Sequence, residues 1–193
     1  MTVSQGFLNN FKRVIKTYPL ARGMLSYSII WPSGCAVQQL VIADQEEIDF
    51  ARVARFSFYG ALYVAPTLNL WLTIARRFWP ANTLRSAITK ALVEQVTYTP
   101  IAMTSFYFGM SLLEGRTIEH AKNEVKEKFW PTYKVGVCVW PALQTINWTY
   151  ISDKNRIAFV SVCSFMWTTF LAYMKHHYNV PVDASKGLIP LDR

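Results

Sequence analysis

Five windows without a charged side chain set the limits on what this chain can fold into. They cover residues 23–43, 56–75, 95–113, 135–152 and 157–174, and charged residues bracket each of them. Each window holds 18 to 21 residues, and a helix needs roughly 17–25 to cross the hydrocarbon core of a bilayer. The sequence therefore predicts an all-α fold, a transmembrane helical bundle of four to five proline-bent spans with an interfacial amphipathic helix.

The composition disfavours a soluble domain. Hydrophobic residues make up 52% of the 193 residues and charged residues only 17%, whereas about 25% are charged in an ordinary soluble domain. Too little sequence remains outside the windows to cover five apolar helices with polar surface. We divide the chain into a basic amphipathic N-terminal segment (1–22), a transmembrane bundle (23–174) and a polar C-terminal tail (175–193).

The positive charge of the chain is placed as a membrane protein would place it. Lys and Arg number 20 against 12 acidic residues, and they gather at window edges, as Lys12, Arg13, Arg76 and Arg77 do. At such positions they meet lipid headgroups and set the orientation of the spans. We therefore expect the lipid bilayer as the partner and no direct nucleic acid binding, with homo-oligomerisation left open.

The N-terminal segment predicts an organelle. No acidic residue precedes Asp44, and Phe7 and Phe11 recur at helical spacing opposite Lys12 and Arg13. This pattern is typical of an uncleaved mitochondrial address or of an interfacial lead-in helix. Mitochondrial residence is the prediction, with peroxisomes second.

Two features of the topology have alternative interpretations. Residues 116–130 form either an interfacial helix that continues into the fourth window or a solvated amphipathic connector. The distribution of Lys and Arg favours four spans, while the hydropathy of the fifth window favours five.

Prolines and polar side chains recur inside the windows. Pro32, Pro66, Pro100 and Pro141 put one proline in each of the first four windows, where each removes a backbone donor and bends the helix. The polar positions that we assign to the bundle interior or to a pore are Gln39, Asn69, Glu94, Gln95, Trp140, Gln144 and Asn147.

Trp140, Gln144 and Asn147 share one helix face, which we predict looks into the bundle, with Arg52, Arg55 or Arg156 near its mouth. Amides in a membrane bundle either pair between helices or line a pore, and pairing is the more common use. Glu94 is ionisable at the edge of a window, so it indicates a function or a paired cation unless it reaches interfacial water.

The sequence predicts no enzyme. It has no Walker loop, no GxSxG, no HExxH and no coherent Ser/His/Asp set. Cys35, Cys138 and Cys163 occur singly inside apolar windows, so neither a zinc site nor a disulfide framework is indicated, and we assign them to packing. No cofactor and no metal are expected.

The C-terminal half resembles a known family. Its residues Trp130, Pro131, Trp140, Pro141, Gln144, Asn147, Trp148 and Arg156 are similar to the W-P-x-x-Q-x-x-N-F-x-x-V-P-x-x-x-R pattern of the Mpv-type membrane family. That family contains peroxisomal membrane protein 2 and the mitochondrial inner-membrane Mpv proteins. The resemblance extends upstream through Gly34, Gln39, Asp49, Arg52, Arg55, Gly60, Pro66, Trp71, Lys90, Glu94, Gln95 and Pro100, over residues 18–156.

Some positions depart from the family pattern. Cys35 stands where the family usually has Asp, Asn69 replaces a His, and Glu94 replaces an Asp. Trp148 replaces a Phe and Ser152 replaces the second Pro. The first two departures weaken any expectation of shared proton-linked or ion-linked behaviour, and none of the five threatens the fold.

The resemblance implies a protein of the mitochondrial inner membrane, or alternatively of the peroxisomal membrane. It implies passage of small solutes, metabolite homeostasis and a link to mitochondrial DNA maintenance. Two hypotheses follow: a small-solute channel edged by the polar residues, or a non-conducting membrane scaffold or assembly factor in which the same amides lock helices together. A channel needs polar groups from several helices to converge at one depth, whereas a scaffold needs them paired off.

Overall fold

The computed structural model describes residues 9–10, 12–15, 17–43, 45–81, 83–151 and 153–177, without the side chains of residues 19, 153–158, 161 and 177. The structure is 88% helix and the described part contains no strand. The all-α prediction is confirmed. The N-terminal segment is described only in part, so the predicted amphipathic face formed with Phe7 and Phe11 lies outside the described residues.

Helices follow one another with short connections. We name them α1 (Pro19–Val37), α2 (Phe50–Tyr59), α3 (Ala65–Phe78), α4 (Leu84–Val96), α5 (Tyr98–Leu113), α6 (Ile118–Thr149) and α7 (Asp153–His177). Two π-helical turns extend them: Gln38–Ile42 continues α1, and Gly60–Val64 joins α2 to α3.

Local sequence explains several helix starts. The Asp49 carboxylate accepts from the Arg52 backbone N–H at 2.9 Å and caps α2. Thr83 and Thr117 accept in the same way from Ser86 and His120, at the starts of α4 and α6. Each cap satisfies one of the four backbone donors that a helix start leaves unpaired.

The third window is divided between two helices. The backbone turns at Thr97, between α4 and α5, three residues before Pro100. Pro100 has no N–H to donate to the carbonyl of Val96, so one continuous helix through this point would lose a bond and meet a steric clash. The helices on either side therefore hold 13 and 16 residues.

Residues 118–130 form the first part of α6, which runs unbroken for 32 residues past Pro131 and Pro141 into the fourth window. Of the two interpretations, the structure has the continuing helix, and its place at a membrane interface stays a prediction. Its buried side is not apolar throughout, since Ile118 is 60% exposed whereas Glu124 and Lys128 are buried. The reason is tertiary, because this half of α6 buries an ion cluster described below.

Helix α1 packs against α2, α3 and α7 around an aromatic core. Trp31 contacts Phe56, Tyr59 and Phe106 with ring centroids 5.7 to 6.1 Å apart. Gly60 allows this approach, since a Cβ there would lie 2.8 Å from Cγ of Trp31. Close helix contact at small residues is the packing mode typical of membrane bundles.

The last helix is longer than the sequence predicts. Helix α7 continues through His177, and Lys175 in its final turn is only 7% exposed. Residues 175–177 of the predicted tail are therefore helical, and residues 178–193 lie outside the described residues.

Within the described residues, the stretch Phe50–Phe78 alone is long and apolar enough to cross a membrane. The turn at Thr97 divides the third window between helices of 13 and 16 residues, each shorter than the roughly 17–25 residues that a span needs. The predicted bundle of four to five spans stays a prediction.

Candidate functional site

An interior cavity of about 110 Å³ lies between α1, α3, α4, α5, α6 and α7. A cavity needs only ~10–15 Å³ to hold one water molecule, so this one has room for several waters or a small solute. Six of its lining residues carry large aromatic rings with a polar tip: Tyr27, Trp31, Tyr63, Tyr98, Trp140 and Trp167. The polar lining comprises Glu94, Thr99, Gln144, Ser164 and Thr168.

Glu94 supplies the carboxylate of the interior cavity. It projects from α4 and is 8% exposed. Its Oε2 accepts from Nε1 of Trp71 at 3.1 Å, and its Oε1 accepts from Nε2 of Gln144 at 3.5 Å. No Lys or Arg among the described residues forms an ion pair with it. Two neutral donors leave most of the carboxylate's accepting capacity unused.

The face that carries Trp140, Gln144 and Asn147 lies in the interior of the structure. Gln144 is 6% exposed and Asn147 is 5% exposed. Nδ2 of Asn147 donates to Oε1 of Gln144 at 3.5 Å, a long contact. Trp140 meets Trp167 of α7 edge-on, with ring centroids 5.8 Å apart. Trp140 and Gln144 line the interior cavity, and Asn147 lies one turn beyond them.

The other predicted polar residues lie away from the interior cavity. Oε1 of Gln39 accepts from the Asp49 backbone N–H at 2.7 Å, and its Nε2 lies 3.4 Å from Sγ of Cys35. Gln39 therefore fastens the loop after α1. Gln95 is buried, and its Oε1 accepts no hydrogen bond from the described residues. Asn69 is half-buried on α3.

The two arginines of the motif occupy one end of the bundle. Nη2 of Arg52 donates to the Ala172 carbonyl of α7 at 2.8 Å, next to Leu171, which lines the interior cavity. Arg55 lies 3.7 Å from the Asp49 carboxylate. Arg52 thus lies beside one end of the cavity and ties α2 to α7. The side chain of Arg156 is outside the described part of the chain.

The remaining motif residues have mainly structural positions. Gly60 packs on Trp31, and Trp71 donates to Glu94. Trp130 is 60% exposed. The prolines follow two patterns: Pro66 and Pro100 stand in the first turns of α3 and α5, whereas Pro131 and Pro141 stand inside α6.

Sequence reasoning missed a buried ion cluster, which we define as Ser111, Glu124, Lys128 and Lys175. Nζ of Lys128 donates to Oε1 of Glu124 at 2.7 Å, and Nζ of Lys175 donates to both Glu124 oxygens at 2.5 and 2.6 Å. Ser111 also donates to Glu124. Lys128 further donates to the Lys175 carbonyl at 2.7 Å, and Glu114 lies 3.2 Å from Nζ of Lys175.

Opposite charges offset much of the cost of burying the cluster, because Glu124 lies between two ammonium groups and Glu114 places a second carboxylate beside Lys175. Burial raises the pKa of the Glu124 carboxyl, but Lys175, Lys128 and the Ser111 hydroxyl outweigh that effect and hold the pKa below its ordinary value. Burial lowers the pKa of the Lys128 ammonium group, and Glu124 offsets part of that fall. The i, i+4 spacing of Glu124 and Lys128 could have predicted their ion pair from the sequence. Lys175 lies far along the chain, so no sequence spacing could have predicted its contact with Glu124.

The cysteines differ in their surroundings. Cys35 and Cys163 are buried, as a packing role requires, but Cys138 is exposed, so the packing assignment is wrong for that residue. Helix α6 turns this position away from its neighbours. No group of three or more His, Cys, Asp or Glu side chains suited to a metal occurs among the described residues.

Comparison with known proteins defines the class. The model of the Mpv17 / PMP22 family matches residues 111–172. An Mpv17-like protein of Xenopus laevis is 38% identical over 162 residues, which cover 83% of this chain and 79% of that protein. The chain belongs to the Mpv17 / PMP22 family, as its motifs indicated. No solved structure matches it.

Other relatives carry names that state a location. The mitochondrial inner membrane protein Mpv17 of Caenorhabditis briggsae is 25% identical over 86% of this chain and 91% of its own. PXMP2/4 family protein 4 of Dictyostelium discoideum is 28% identical over 81% of this chain and 86% of its own. The prediction of a mitochondrial inner membrane location is confirmed by such relatives, and the peroxisomal membrane stays the alternative.

Proposed function

We propose that this chain is a multispanning protein that passes small solutes across the mitochondrial inner membrane through its helical bundle. Four to five helical segments of the chain span the bilayer. The chain catalyses no reaction, and the transport is not coupled to one. Metabolite homeostasis, and through it mitochondrial DNA maintenance, would be the cellular consequence. The family and the named relatives support the membrane and the location.

One observation carries the proposal: polar groups from several helices converge on one cavity. Glu94 comes from α4, Thr99 from α5, Gln144 from α6, and Ser164 and Thr168 from α7. Hydrogen bonds across helices would be shorter and more complete if these groups served only to join helices, but the Gln144 contact to Glu94 measures 3.5 Å. A good N–H···O bond measures about 2.9–3.0 Å. Such loose pairing favours contact with water or solute.

The second candidate, a non-conducting scaffold, is favoured by a different part of the molecule. Gln39, Arg52 and the buried ion cluster make contacts that tie helices and loops together. On α7 these contacts involve Ala172 and Lys175, which lie beyond Ser164 towards the end of the helix. A scaffold would use them and would leave the interior cavity without a role, so a measurement at the cavity separates the two functions.

Conductance of the reconstituted protein tests the proposal. Purified full-length protein is inserted into planar bilayers beside Gln144→Leu, which removes an amide from the cavity wall, and Asn123→Leu, which changes an exposed amide on the same helix. The channel proposal expects a conductance that Gln144→Leu alters and Asn123→Leu does not. Absence of conductance in the wild type would favour the scaffold, and a conductance that both variants leave unchanged would place the conducting path away from this cavity.

A further inference from the structure

We propose that the interior cavity is a binding site for small monovalent organic cations, whose ammonium group lies beside Glu94 with aromatic faces around it. The claim that such cations pass through the protein rests on the proposed function. The claim that they bind in the cavity rests on the geometry of the cavity alone.

The buried carboxylate is the first argument. Glu94 is more than nine-tenths buried, and its two hydrogen-bond partners, Trp71 and Gln144, are both neutral. A buried carboxylate with no cation beside it takes up a proton more readily, because the desolvation of its charge is otherwise uncompensated, so a bound cation would hold it ionised. Ionisable groups in this setting are rare in membrane proteins and indicate a function. A cationic ligand would supply the charge that the described residues do not.

The aromatic lining is the second argument. Trp31, Trp140 and Trp167 border the same cavity as Tyr27, Tyr63 and Tyr98. The face of an aromatic ring is negative, and cages of such rings recognise quaternary and alkylated ammonium groups. Trp binds cations best among these rings. Rings alone would be a packing feature, but here they border the same cavity as a carboxylate, and ring faces and carboxylate both attract a cation.

The charge balance of the lining is the third argument. The described lining contains one carboxylate and no Lys or Arg. The nearest motif arginine, Arg52, points to the Ala172 carbonyl and is not part of the wall. A phosphate or carboxylate ligand would meet Glu94 with no cation to hold it, and an uncharged apolar ligand would leave Glu94 without solvation. An organic cation satisfies both the carboxylate and the rings.

Binding by detergent-purified full-length protein provides the first test. Choline is titrated while tryptophan fluorescence is followed, since three tryptophans border the cavity. The matched probe is the uncharged isostere in which carbon replaces the quaternary nitrogen, and sodium chloride controls for ionic strength. We expect choline to bind at least about tenfold more tightly than its isostere, because only choline has the charge that Glu94 and the rings attract. Equal affinity, or no saturable response to choline, would overturn the inference.

Variants assign the effect to the cavity. Glu94→Gln should weaken choline binding at least about tenfold, Glu94→Asp should retain most of it, and Glu127→Gln, at an exposed position of α6, should change nothing. Unchanged binding in Glu94→Gln would refute the site. If circular dichroism shows that Glu94→Gln fails to fold, the affinities of the wild type for choline and for its isostere still test whether the cavity selects a cation.

Flux into liposomes separates this inference from the proposed function. Choline entry above that into protein-free liposomes, lost in Glu94→Gln, supports both. Choline binding without protein-dependent flux contradicts the channel and keeps the site. Protein-dependent choline entry that Glu94→Gln leaves unchanged keeps the channel and overturns the selection of cations by Glu94.

Discussion

Removing the charge of Glu124 should destabilise the fold more than any exposed substitution. Glu124 is 1% exposed, and its carboxylate accepts from Lys128, Lys175 and Ser111. Glu124→Gln keeps the shape but leaves two buried ammonium groups with fewer acceptors. Breaking a buried ion pair typically costs about 3–5 kcal/mol. We expect a loss of stability at the lower end of that range, about 3 kcal/mol. In the variant, Lys128 still donates to the Lys175 carbonyl, and Lys175 still has its ion pair with Glu114.

Thermal unfolding measures this effect. For chains of about 150–250 residues, 1 kcal/mol moves Tm by roughly 2–4 °C, so Glu124→Gln should lower Tm by about 6–12 °C in detergent, followed by far-ultraviolet circular dichroism. Glu127→Gln, an exposed acid one turn along α6, serves as the matched control and should lie within about 0.5 kcal/mol of the wild type. Equal melting of the two variants would refute the argument.

A triple replacement tests the physical cause. Apolar side chains of similar volume often replace a buried ion cluster without loss of stability. Leucine at Glu124, Lys128 and Lys175 together should therefore be less destabilising than Glu124→Gln alone. A triple variant that melts well below Glu124→Gln would show that stability depends on the ions themselves rather than on leaving a charge unpaired.

Two further predictions concern packing and pH. Gly60→Ala should cost about 1–3 kcal/mol through overpacking, because its Cβ would lie 2.8 Å from Trp31, whereas Gly23→Ala, 3.9 Å from its nearest neighbour, should be neutral or slightly stabilising in the same melting assay. The pKa of Glu124 is lower in the folded protein, so its contribution to stability is fully present above its unfolded pKa of about 4.3 and is lost as pH falls through the folded value. The acid-induced fall in Tm should therefore be shallower in Glu124→Gln than in the wild type, and parallel curves would contradict this.

The fold was predictable where short-range sequence determines it. The uncharged windows locate helices, because a helix satisfies its own backbone groups whatever surrounds it. Pro100 carries the reason for the turn at Thr97, yet sequence alone does not say whether a proline bends a helix or begins a new one. The continuity of α6 past Pro131 and Pro141 was one of two open interpretations for the same reason.

The site was predictable in part. Glu94, Trp140 and Gln144 were selected as polar or amphipathic residues in apolar surroundings, and they meet at one cavity. The aromatic wall was missed, because Tyr27 and Trp167 cannot be distinguished from ordinary packing or interfacial rings until the helices are assembled. Gln39 was grouped with the cavity residues, but its partner Asp49 lies ten residues away on a loop whose path the sequence does not fix.

Reaction of a cysteine at position 144 tests most directly whether the interior cavity is water-filled. Gln144→Cys is made in a background without Cys35, Cys138 and Cys163, and the protein is exposed to a small charged methanethiosulfonate reagent. The reference retains only the natural Cys35, which is fully buried in the core. We expect rapid modification at position 144 and none at Cys35. Protection of position 144 equal to that of Cys35 would identify a dry helix seam and contradict a path for solutes.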